Sequence, residues 1–146
     1  MNDVIILCGG KGTRLSEETV TKPKPMVEIG GKPILWHIMK HYASFGYNRF
    51  ILALGYRAEY IKNYFYNYRM LSSDFTLVMH PEEPPQIHGV SDEADWEITF
   101  VDTGVSALKG ARIKRLEQYV KSGIFHITYG DGLSNANIKE IEQFHL

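Results

Sequence analysis

The run Val4-Ile5-Ile6-Leu7 breaks directly into Cys8-Gly9-Gly10-Lys11-Gly12-Thr13-Arg14, and this junction restricts the chain more than any other. Four consecutive apolar residues leave no polar face, which suits a strand buried on both sides in a parallel sheet. The glycines beyond it permit positive φ and let main-chain N–H groups approach a ligand that a Cβ would hold off. Thr13 adds a hydroxyl donor, and Lys11 and the forked guanidinium of Arg14 add charge suited to phosphate oxygens. The turn is therefore expected to face a polyphosphate. A solvated strand-to-helix turn, with Lys11 and Arg14 in water, is the competing reading. Two phosphate motifs are excluded: a dinucleotide fingerprint starting at Gly10 would need glycine where Leu15 stands, and no P-loop ending Gly-Lys-Ser/Thr occurs.

Thr21-Lys22-Pro23-Lys24-Pro25-Met26-Val27 sets a lysine between two prolines. Each proline fixes its own φ and biases its predecessor toward extended geometry, so Lys24 lies on a stiff track. It either points at the anion or sits in a solvated loop. Thr128-Tyr129-Gly130-Asp131-Gly132 closes a later apolar run. Open α/β sheets bind ligands at the carboxyl ends of their strands, so Asp131 is expected across a crevice from the Gly9 to Arg14 turn. A carboxylate there suits Mg²⁺, a hard ion that takes oxygen ligands; Asp-Gly as a plain turn is the alternative. Arg112, after Lys109-Gly110-Ala111, either brings its guanidinium together with main-chain N–H groups at a helix start or faces solvent.

Short apolar runs at Val4 to Cys8, Phe50 to Leu54, Phe75 to Met79, Ile98 to Val101 and Ile124 to Tyr129 read as buried strands. Helical spacing separates them. Pro33 suits a first helical position, Leu35, Ile38, Met39, Tyr42 and Phe45 follow, and Gly46 is placed to end that helix. A second helix carries Ile61, Tyr64, Phe65 and Tyr68, and a third carries Ile113, Leu116 and Val120. Asn137 and Glu140 stand in a capping relation before Ile141. The alternation predicts a three-layer α/β fold with a mainly parallel sheet, in one domain. Tyr56, Tyr60, Tyr64 and Tyr68 recur every four residues and are expected to line a helix face against the sheet or a partner. His37 and His41 lack a third ligand for zinc and are expected on a helix surface or at an interface. Proline and acidic residues from His80 to Asp95 predict an exposed loop or hairpin.

Sixteen basic and seventeen acidic side chains give a net charge of −1, which argues against nucleic acid or an anionic membrane as partner. The single cysteine, Cys8, rules out an internal disulfide and reads as a small residue closing the first strand. No secretory leader and no membrane-length apolar stretch is seen, so a cytoplasmic location is expected.

Leu7 to Leu15, then Ser16-Glu17-Glu18-Thr19, then Lys22 to Ile38, together resemble the sugar-1-phosphate nucleotidyltransferases. Val101-Asp102-Thr103-Gly104, Arg112-Ile113-Lys114-Arg115 and Thr128 to Gly132 agree, and the likeness is weakest from about His80 to Asp95. The resemblance implies a Rossmann-like, three-layer α/β/α fold of the nucleotide-diphospho-sugar transferase type, truncated. Residues 1–146 would be its nucleotide-binding part, with the carboxy-terminal sugar-binding part and a second metal carboxylate lying outside them. It implies CTP and glucose 1-phosphate as substrates, giving CDP-glucose and pyrophosphate with Mg²⁺. UTP or dTTP, another sugar, or a fragment that binds nucleotide without turnover are the alternatives. By the same resemblance Leu7, Cys8, Gly9, Gly10, Lys11, Gly12, Thr13, Arg14, Lys24, Arg112, Gly130 and Asp131 form the nucleotide site. Arg14 and Lys24 would supply catalytic charge, and Asp131 would hold the metal. Ala111 and Cys8 stand where the family more often has glycine and alanine. Symmetric homo-oligomers are common in the family, and the aromatic helix is a candidate contact.

Overall fold

The computed structural model describes residues 1–10 and 22–146, and its centre is a sheet of four parallel strands. In chain order the strands are β1 (Asp3–Leu7), β2 (Glu28–Ile29), β3 (Lys32–Pro33), β4 (Arg49–Leu54), β5 (Phe75–Thr76), β6 (Gln86–Ile87), β7 (Glu97–Asp102) and β8 (Phe125–Tyr129). The helices are α1 (Ile34–Ser44), α2 (Ala58–Tyr66), α3 (Tyr68–Leu71), α4 (Lys109–Arg115) and α5 (Ile138–His145). The sheet order is β7-β4-β1-β8, with Ile6 beside Leu52 on one side and Thr128 on the other.

Successive side chains of β1 enter opposite layers, which is why Val4 to Leu7 are all apolar. Val4 and Ile6 join Phe50 and Leu52 against Leu35, Ile38 and Met39 of α1, Ile61 of α2 and Ile138 of α5. Ile5 joins Ile51 and Ala53 against Leu116, which follows α4. Each such aliphatic side chain contributes about 1.5–3 kcal/mol by leaving water. The expected three-layer arrangement is thus present, and the layer holding α4 is the thinner.

Local signals place most boundaries. Helix α1 buries the four residues Leu35, Ile38, Met39 and Tyr42, and Gly46 leaves it with a φ of 91°. Pro33 stands one residue before its first turn, pairing with Glu28 across β2 and β3. Asn137 Oδ1 accepts the Glu140 N–H at 3.3 Å and caps α5.

Three expectations are corrected. Phe75 to Met79 is no buried strand: only Phe75 and Thr76 pair, antiparallel with Ile87 and Gln86, and Leu77, Val78 and Met79 are exposed. Pro81, Pro84 and Pro85 lie between the two partners and keep that ladder to two residues. The place beside β4 goes to β7. The second helix breaks at Asn67, so Tyr64 and Tyr68 fall in separate helices and Tyr56 lies outside both. The third ends at Arg115 and passes into a 3-10 turn, Glu117–Tyr119. Among the described residues no helix is long and apolar enough to cross a membrane.

Candidate active site

Because β1 and β8 are parallel neighbours, the turns that leave them emerge on the same side of the molecule. Gly130 N–H donates to Leu7 O at 2.9 Å, and Cys8 N–H donates to Ala53 O at 2.9 Å, so the first glycine turn is tied to both adjacent strands. A cavity of about 410 Å³ opens between the turns. Of the candidates named from the sequence, Leu7, Cys8, Gly9, Gly10, Lys24, Arg112 and Asp131 line it, together with Pro25, Ala107, Leu108, Lys109 and Tyr129. Gly130 lies behind Cys8. Lys11, Gly12, Thr13 and Arg14 lie outside the described residues.

Lys24 begins a 3-10 turn whose Pro25 and Met26 are buried, so the proline track anchors the ammonium at the cavity wall. Its Nζ pairs with Asp131 Oδ2 at 2.7 Å, and both side chains keep roughly 30 per cent exposure. Lys109 Nζ lies 4.7 Å from the centre of the Tyr129 ring and donates to its hydroxyl at 3.0 Å. Three cations and one carboxylate therefore face the cavity among the described residues. That balance favours an anionic ligand.

Arg112 is 6 per cent exposed. Its Nε donates to Ala107 O at 2.9 Å, Nη1 to Thr103 Oγ1 at 3.0 Å and more weakly to Leu54 O at 3.5 Å, and Nη2 to Gly9 O at 3.1 Å and Val105 O at 3.0 Å. Burial, and then the charge of Arg115, pull its pKa down. Cys8 is buried, and burial followed by the Asp131 charge pushes its thiol up, so it packs as a small apolar residue.

Gly9 and Gly10 are absent from the positive-φ glycines, which corrects the conformational reason given for them. Space is the reason at Gly9: a Cβ there would come within 1.8 Å of Arg112 Nη1. Tyr129 was legible inside the Tyr-Gly-Asp turn, and Lys109 beside Arg112. Gly55 carries no local signal and Thr103 enters only as part of the Val101 to Gly104 stretch, because what either does depends on the guanidinium packed against it.

The described residues contain no cluster of three His, Cys, Asp or Glu side chains that would enclose a metal. Asp131 is the only carboxylate among the described residues of the cavity wall. One carboxylate is the donor set of a Mg²⁺ site completed by water and substrate phosphates rather than of a closed protein cage.

The chain belongs to the nucleotidyl transferase family, whose model matches residues 3–102. Among its members it is 52% identical over 142 residues to the glucose-1-phosphate cytidylyltransferase of Salmonella typhimurium, covering 97% of this chain and 54% of that one. It is 46% identical over 141 residues to a probable glucose-1-phosphate cytidylyltransferase of Bacillus subtilis, again covering 97% of this chain and 54% of the relative. The crystal structure of HddC from Yersinia pseudotuberculosis complexed with GMP-PN superposes with a TM-score of 0.73 at 28% identity, covering all of this chain and 55% of that one. The chain spans about half the length of the curated relatives it matches.

Proposed function

We propose that residues 1–146 are the nucleotide-binding part of a transferase that joins CTP to glucose 1-phosphate, giving CDP-glucose and pyrophosphate, with the sugar-binding part supplied by chain outside them. The observation that carries this reading is the convergence of the Gly9-Gly10 turn and the Lys24–Asp131 pair on one cavity. The names of the two cytidylyltransferase relatives support the choice of CTP and of glucose.

An oxygen of the sugar phosphate attacks the α-phosphorus of CTP in line. The new phosphorus–oxygen bond forms as the bond to the β-phosphate oxygen breaks, and pyrophosphate leaves with the electron pair. Such a reaction depends on alignment and on charge neutralisation, not on a protein nucleophile. Main-chain N–H groups around Gly9 and Gly10 receive the nucleotide, Lys24 steadies its phosphates and Arg112 adds charge at the back of the cavity. Arg14, outside the described residues, is assigned to the leaving pyrophosphate. Asp131 is the residue that would hold Mg²⁺, which when bound neutralises triphosphate charge.

Pyrophosphate release from CTP and glucose 1-phosphate tests the reaction, and calorimetry with CTP and Mg²⁺ tests the site. Binding without release assigns this chain as a nucleotide-binding fragment. Competition among CTP, UTP, dTTP and ATP settles the base. In an active protein Arg14→Ala and Lys24→Ala are each expected to lose about 10² to 10³ in turnover. Wild-type pyrophosphate release by Arg14→Ala would refute its assignment.

A further inference from the structure

Arg112 holds an unusual position for a charged side chain. All five guanidinium N–H donors are matched by the five protein acceptors of Leu54, Thr103, Gly9, Val105 and Ala107. Four of these are main-chain carbonyls, and the fifth, the Thr103 hydroxyl, itself donates to Leu54 O at 2.9 Å. No carboxylate among the described residues is paired with it. The side chain therefore ties three segments together: the first glycine turn, the end of β4, and the loop entering α4.

Two glycines are shaped to this side chain. A Cβ at Gly9 would lie 1.8 Å from Nη1 and 2.3 Å from Cζ of Arg112. One at Gly55 would lie 2.8 Å from Nη1 and 2.8 Å from Gly9 O. Neither glycine is among those with positive φ, so conformation does not demand glycine at either place. An arginine can swing aside when crowded, but here doing so breaks five hydrogen bonds. Gly55 is not part of the cavity wall, and its sequence context marks no site.

We infer that Arg112 is a positioning residue whose guanidinium holds the Gly9 carbonyl and turn in their ligand-receiving shape, and that Gly9 and Gly55 lack side chains to admit it. The ligand part of this inference rests on the nucleotide reading above. The brace itself does not.

Thermal melting without ligand tests the brace. Gly9→Ala and Arg112→Ala each lower Tm, while the double variant melts no lower than Arg112→Ala alone, because the obstacle to the methyl group is gone. Gly10→Ala, whose Cβ meets nothing within 4 Å among the described residues, is expected to melt as wild type does. Additive losses in the double variant would overturn the brace. Calorimetry with CTP and Mg²⁺, on variants folded at the working temperature, tests the positioning. Arg112→Lys keeps the charge but offers one nitrogen to five acceptors, and it is expected to weaken CTP binding about tenfold or more. Gly55→Ala weakens CTP binding as well, although Gly55 itself does not line the cavity and acts only through Arg112 and the Gly9 carbonyl. Wild-type affinity in both variants would overturn the positioning role. Failure of the unaltered chain to bind CTP refutes the nucleotide reading, and the melting cycle still decides the brace.

Discussion

A methyl group on Gly130 would lie 2.9 Å from Cys8 Sγ, 3.0 Å from Pro25 Cγ and 3.2 Å from Leu7 O. Glycine at this position brings the acidic turn against the glycine turn, and Asp131 reaches the cavity only because that approach is so close. Gly130→Ala is expected to cost about 1–3 kcal/mol through overpacking, read as a lower midpoint in denaturant unfolding. The sequence showed that these residues make turns and carry charge. It gave no hint that Gly9 makes room for a guanidinium 103 positions away, because only the folded chain brings Arg112 to it. The Lys24–Asp131 pair is similar: each residue is legible as a site candidate, while their 2.7 Å contact depends on the 3-10 turn at Lys24 packing against the turn that leaves β8.

Elements with strong local signals came out near their expected bounds. Helix α5 is the clearest, since its cap is written in the residues Asn137 and Glu140. At 3.3 Å the capping bond is long, so Asn137→Ala should cost only about 0.5–1 kcal/mol. Circular dichroism and a melting curve would register it, and an unchanged Tm would show that burial of Ile138 and the bonds to Glu142 hold the helix without the cap. Where local pattern misled, competition between segments decided the outcome. Phe75 to Met79 has the apolar content of a core strand, but β7 occupies the sheet position beside β4 and pairs with it over six residues. Periodicity reports that a segment is apolar, not which of two apolar segments wins an edge.

At the scale of the molecule, two carboxylates bind the amino-terminal ends of the strands together, opposite the cavity. Asp3, 2 per cent exposed, pairs with Arg49 at 2.7 Å and accepts the N–H groups of Lys121 and Ser122 and the Ser122 hydroxyl. Burial pushes its carboxyl up, but these partners together bring it down to about 2. Glu142 of α5 accepts from Tyr47 at 2.6 Å, His126 at 2.9 Å and Asn2 at 2.9 Å. The Tyr47 and His126 hydrogen bonds hold its carboxyl at about 2 as well, and burial together with the Glu142 carboxylate pushes the Tyr47 hydroxyl up to about 12. A carboxyl depressed in the folded state stabilises fully above its unfolded pKa, and that stability fades as pH falls toward the folded value. Tm should therefore be flat from neutral pH to about 4.5 and fall steeply from there toward 2. Asp3→Asn, which removes the carboxylate paired with Arg49, should cost about 2 kcal/mol at neutral pH and flatten that decline in melting experiments. An equally steep acid limb in the variant would assign the decline to other groups.

What the amino-acid order determined by itself is the parallel α/β class, the Asn137 cap of α5, the Gly46 end of α1, and the glycine and acidic turns with the residue types suited to phosphate. These follow from periodicity, caps and turn chemistry, whose physics acts within a few residues along the chain. Only the tertiary structure decided which apolar segment completed the sheet, that Arg112 braces the first turn, and that Glu142 draws Asn2, Tyr47 and His126 together. Those outcomes depend on contacts between residues as far as 140 positions apart, which form only when burial of the core has set the strands beside one another.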